Sequence, residues 1–162
     1  MDKKRLKKIA SLVTSASLIA GSASLFGCKE AESQQEEIKY ATQLANELRF
    51  KFQFEIPEEV LFKHVFYEQT KRNGNNILGV TIDGTIQYYR YGPIDYDLKM
   101  EYSIDDELYE EFKSADKTDL SLMYNMTSSL IEDNYPMFLM ADDEVIYKSE
   151  TAIRDTSYEN VR

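Results

Sequence analysis

Residues 77–104 read ILGVTIDGTIQYYRYGPIDYDLKMEYSI, and this stretch decides the fold. Its second half alternates without a break: Tyr96, Leu98, Met100, Tyr102 and Ile104 are apolar, and Asp97, Lys99, Glu101 and Ser103 between them are polar. Successive strand side chains point to opposite faces, so the pattern predicts a strand with one wet face, as in an antiparallel sheet. In the first half, Ile77–Ile82 and Thr85–Tyr91 flank Asp83-Gly84, a hairpin dipeptide. A three-residue loop with Gly84 in a left-handed bulge puts Leu78, Val80, Ile86 and Tyr88 on one face. Gly92-Pro93 predicts the next turn. The whole reads as an antiparallel meander.

Upstream of the meander, Ile38, Ala41, Leu44, Ala45 and Leu48 recur at helical spacing behind the capping box Ser33-Gln34-Gln35-Glu36, which predicts a helix from Ser33 to Glu47. Leu48, Phe50, Phe52, Phe54 and Ile56 then alternate with polar residues and predict a strand ended by Pro57. Val60–Thr70 carries helix-like ends, with Lys71-Arg72-Asn73-Gly74 resembling a helix stop, but its residues are strand formers and the balance favours strand.

Downstream, Asp105-Asp106 opens a helix using Leu108 and Phe112. Thr118-Asp119 opens another, with Leu120, Met123, Tyr124, Thr127, Leu130 and Ile131 on one stripe, stopped by Pro136. Met137–Met140 and Val145–Lys148 around Asp142-Asp143 predict a final hairpin. The fold class is therefore α+β: an N-terminal helix, an antiparallel meander, a helix pair and a final hairpin in one domain, residues 33–149, with helices on one sheet face. Residues 150–162 have no period and are expected to fray.

The N-terminus is of a different kind. MDKKRLKK is strongly basic, and Ile9–Phe26 carries no charge, as in the first two regions of a secretory signal. Cys28, the one cysteine in the chain, follows Leu25-Phe26-Gly27. This resembles the lipobox of bacterial lipoproteins, an aliphatic residue, a small one, Gly or Ala, then Cys; Phe26 departs from it. The resemblance implies that residues 1–27 are a signal peptide, that Cys28 takes a diacylglyceryl group and fatty acid of the palmitate class, and that the type II signal peptidase cuts between Gly27 and Cys28. Two acyl chains suffice for stable anchoring. Residues 28–32 would be a short tether, on which four extended residues reach about 13 Å. The expected location is the cell membrane or outer membrane, facing outside the cytoplasm.

Five of the 19 basic residues and one of the 29 acidic ones precede Cys28, leaving 14 and 28, a balance near −14. Such a chain repels nucleic acid and favours basic partners. One cysteine makes neither an internal disulfide nor a thiolate zinc cluster. His64 is the one histidine; no Gly-x-Ser-x-Gly elbow accompanies it, and it reads as structural. No phosphate-cradling glycine loop occurs. The acidic runs Asp105-Asp106-Glu107, Glu110-Glu111 and Asp142-Asp143-Glu144 lack calcium-loop spacing and suit a helix start and a turn. No tryptophan platform supports a glycosidase. No enzyme, metal or cofactor is expected.

What stands out is tyrosine, twelve of them. If Ile86 and Tyr88 face the core, Tyr89 and Tyr91 face solvent, rimmed by Asp95 and Asp97. Exposed tyrosines suit interfaces. The expectation is an acidic protein-binding module for a basic partner, such as an immunity or inhibitor protein; the alternative is a small assembly factor of an envelope or secretion complex.

Overall fold

The computed structural model describes residues 28–88 and 90–150. The element order is α1 (Cys28–Phe52), β1 (Val60–Arg72), β2 (Asn75–Tyr88), β3 (Gly92–Asp95), β4 (Leu98–Ile104), α2 (Asp106–Ser114), α3 (Leu120–Glu132), β5 (Met137–Ala141) and β6 (Glu144–Lys148). The class is α+β, with helix, meander, helix pair and hairpin in the expected sequence. Residues 1–27, expected to be a signal peptide, and residues 151–162 lie outside the described residues.

Helix α1 exceeds its expected bounds at both ends. Residues 28–32, expected as a tether, are helical, and Ser33 sits inside the helix instead of capping it. Lys29-Glu30-Ala31-Glu32 are good helix formers, and extending a helix costs far less than starting one. The same cooperativity overrides the expected strand at 48–56. Leu48 belongs to the helical stripe Ala41, Leu44, Ala45, Leu48, all at 0–1% exposure, while Phe50 is 86% exposed. Phe52 closes the last turn against Tyr147, ring centroids 4.5 Å apart. Arg49 and Lys51 complement the negative end of the dipole, and the Lys51 ammonium donates to the Ile131 carbonyl. Gln53, at φ 51°, breaks the helix.

The sheet is antiparallel with spatial order β1-β2-β4-β5-β6, and β3 pairs with the end of β2. Val60–Arg72 is a strand, as its composition favours. The expected hairpin at Asp83-Gly84 does not form: β2 runs straight through it. The turn lies at Asn73-Gly74, where φ of 52° and 79° between the paired residues Arg72 and Asn75 fits a two-residue hairpin. Gly84 serves another purpose: a Cβ there would stand 2.6 Å from the Tyr96 carbonyl oxygen and 2.9 Å from the Phe62 ring. Because β2 is continuous, Leu78, Val80, Ile82 and Ile86 share the core face by plain alternation, without a bulge.

That face meets the helices. Leu44 and Leu48 of α1, Leu108 and Phe112 of α2, and Met123, Leu130 and Ile131 of α3 pack on Leu78, Val80, Ile82, Leu98, Met100, Tyr102 and Leu139 in one cluster. The acidic runs take the roles expected of them. Asp105 caps α2 by accepting from the Leu108 N–H at 2.7 Å, and Asp106 and Glu107 fill its first turn. Asp119 caps α3. Asp142 and Asp143, at φ 47° and 63°, turn β5 into β6.

Candidate functional site

The residues expected to bind a partner divide into three outcomes. Tyr89 lies outside the described residues. Tyr91 is 82% exposed. It owes this to its place in the turn before Gly92 (φ 75°), since the face alternation expected of it does not carry round a turn. Asp95 is exposed on β3. Asp97 is half-buried, and its Oδ1 accepts the Gly84 N–H at 3.3 Å where β3 gives way to β4. Burial is the main force raising the Asp97 carboxyl above its usual range; the Gly84 N–H opposes it and the neighbouring Asp83 adds to it.

Together these residues form a ribbon. Ile86 pairs with Ile94 and Tyr88 with Gly92, beyond the last β2–β4 pair at Ile82 and Leu98. Every residue of β3 is exposed, Ile94 at 47%. The ribbon is not built for strand addition, because Pro93 removes a donor from β3. The outer strands of the sheet carry guards as well, an extra residue at Lys63 in β1 and another at Ile146 in β6.

A second site was not legible as one in the sequence. A cleft of about 160 Å³ opens between α1, β1 and the start of α3. Tyr40 and Leu44 come from α1, Phe66 and Tyr67 from β1, and Leu120, Met123 and Tyr124 from α3. Tyr40 and Tyr124 stack with centroids 5.0 Å apart. Their neighbours use their polar tips internally. The Tyr67 hydroxyl meets Thr127 Oγ1 at 2.9 Å, and Thr127 donates to the Met123 carbonyl at 2.7 Å. Burial pushes the Tyr67 phenol up to about 12. The Tyr124 hydroxyl donates to Glu47 Oε1, and Ser128 donates to Glu47 Oε2 at 2.9 Å. Burial first, and then the Glu47 carboxylate, raise the Tyr124 phenol.

His64 also lines this cleft, and it is no buried core histidine. Its Nδ1 lies 2.5 Å from Glu37 Oε2, with the two side chains 45% and 31% exposed. In the neutral imidazole, a carboxylate accepting from Nδ1–H selects the tautomer whose Nε2 is an acceptor. Among the described residues the cleft lining holds no serine, threonine or cysteine. Lys117, at the opposite rim, is spent on the carbonyls at the end of α2, donating to Phe112 and, at 3.0 Å, to Ala115. Among the described residues no group of three or more His, Cys, Asp or Glu side chains is placed to hold a metal. No helix among them is long and apolar enough to cross a membrane.

No family model, curated protein or solved structure matches the chain.

Proposed function

We propose that the protein is a lipid-anchored module of the bacterial cell envelope, outside the cytoplasm, that binds a basic protein through the β2–β3 ribbon. An immunity or inhibitor role against a cationic toxin or hydrolase is the form that suits it best. The observation that carries this is the exposure of Tyr91, 82%, at the tip of a ribbon whose β3 strand is exposed throughout.

Two further features support the reading. The ribbon sits at the far end of α1 from Cys28: Arg49, in the last turns of α1, and Tyr96, at the ribbon base, line one surface depression. Twenty-five helical residues span roughly 37 Å, so an anchor on Cys28 would leave the ribbon facing away from the bilayer. Twenty-eight acids against 14 bases from Cys28 onward would steer a cationic partner and speed its arrival. With Pro93 in β3, contact would run through the side chains of Tyr91, Ile94 and Asp95.

The test replaces Tyr91 by a photoreactive phenylalanine in living cells, with exposed Lys113 replaced likewise as control. One basic adduct at position 91, absent at 113 and fading as salt rises, is expected. No adduct at 91, or one indifferent to salt, overturns the proposal. The anchor is tested separately: Cys28→Ala should leave an unprocessed precursor without labelled palmitate, and labelling equal to the wild type would refute it.

A further inference from the structure

We infer that the cleft between α1, β1 and α3 is a binding site for a single aromatic ring bearing a hydrogen-bond donor, a phenol-like group. Size is the first argument. An apolar cavity of about 150 Å³ accommodates benzene, and this cleft measures about 160 Å³. Wall chemistry is the second. Tyr40, Phe66, Tyr67 and Tyr124 supply rings and Met123 a thioether, which favour aromatic contacts. Tyr67 and Tyr124 turn their hydroxyls to Thr127 and Glu47, so those two walls offer carbon to an occupant.

The third argument is a polar group on the lining. Glu37 holds His64 through Nδ1, and in the neutral imidazole Nε2, without a partner among the described residues, is an acceptor on the lining. A ring without a donor leaves that acceptor to water, whereas a phenol hydroxyl satisfies it. Lys117 does not compete for the role, because its ammonium is bound to α2 carbonyls. The ring can come from a free phenol or from a tyrosine of a peptide; the chemistry recognised is the same.

The test uses the full chain in detergent, with p-cresol, toluene and N-acetyltyrosinamide as probes and methyl and aromatic NMR signals as the readout. p-Cresol should shift the Met123 methyl and the Tyr40 and Tyr124 ring signals saturably. It should bind about five-fold more tightly than toluene, the worth of one net hydrogen bond. N-acetyltyrosinamide binding as well as p-cresol would identify a peptide tyrosine as the source, and weaker binding a free phenol. His64→Phe, at a half-exposed position, should keep toluene binding and abolish the preference for p-cresol. Glu37→Gln should shrink that preference. Three results overturn the inference: no saturable shift with any probe, equal affinity for p-cresol and toluene in the wild type, or an undiminished preference in His64→Phe.

Discussion

Replacing Gly84 by alanine separates two accounts of this fold. If Asp83-Gly84 were a hairpin turn, Gly84 would supply a left-handed conformation, and Asn or Asp would replace it at little cost. In the structure Gly84 sits inside β2 without a positive φ, and its missing side chain makes room. A Cβ would stand 2.6 Å from the Tyr96 oxygen and 2.9 and 3.0 Å from two carbons of the Phe62 ring. The ring can tilt, but the Tyr96 oxygen is backbone, and the Tyr96 N–H is bonded to the Gly84 carbonyl at 2.8 Å. Relief requires the β2–β3 ribbon to shift at its base. Overpacking of this kind costs about 1–3 kcal/mol. The gain from a stiffer unfolded chain offsets about 0.4–1 kcal/mol of that. The net loss for Gly84→Ala is about 1–2 kcal/mol, and Gly84→Asn should lose more. Gly79, in the same strand, is the control, since its Cβ would meet nothing nearer than 3.5 Å; Gly79→Ala should fall within about 0.5 kcal/mol of wild type. Urea unfolding of the three variants reads all of this. Gly84→Asn more stable than Gly84→Ala would refute the close-approach argument and restore the turn.

Two further predictions concern the polar ties between elements. Glu47→Ala removes the acceptor shared by Tyr124 and Ser128 and with it the tie between α1 and α3. A loss of about 1.5–3 kcal/mol is expected from hydrogen bonds to a charged group, and a double-mutant cycle with Ser128→Ala should show coupling; additive losses would refute the tie. Alkaline pH should destabilise the domain with a definite sign. Burial raises Tyr67 from 10.0 to about 12, so the fold holds its phenol proton more tightly than the unfolded chain does. That contribution is complete below pH 10 and is lost as pH climbs through about 12. Tyr67→Phe should flatten the decline in stability between pH 10 and 12, and an unchanged slope would show that Tyr67 does not govern it.

Much of the architecture was legible because several periodicities were long and unambiguous. β4 alternates over Tyr96–Ile104, and α3 keeps its stripe from Met123 to Ile131; each matched one template and folded accordingly. The errors arose where one string of residues satisfied two templates. Leu48, Phe52 and Ile56 lie four apart as well as on an alternating row, and the helix already running from Cys28 decided the case for Leu48 and Phe52. Asn73-Gly74 and Asp83-Gly84 are both hairpin dipeptides, and local chemistry does not choose between them. The choice is made by pairing: continuous β2 aligns Leu78, Val80 and Ile82 with Tyr102, Met100 and Leu98, which a turn at Asp83 would forfeit.

The sites were less legible for a related reason. Exposure of Tyr91 was expected from alternation and comes instead from its place in a turn. Of the two expected acids, Asp97 is half-buried and tied to the Gly84 N–H, because a carboxylate next to a glycine N–H has a backbone partner within reach. The aromatic cleft draws on three elements spread from Glu37 to Tyr124, and no local pattern joins them. Its one sequence signal was His64, set among Phe62, Val65, Phe66 and Tyr67 and therefore read as structural. An extra residue, Lys63, shifts the β1 register between Phe62 and His64, so that His64 stands opposite Asp83, and its imidazole meets Glu37. Such a bulge costs sheet pairing, and bulges are common where a side chain has to be re-aimed. Here the side chain beside the bulge is the chain's one histidine, and it meets the cleft with its ring already held in place by a carboxylate.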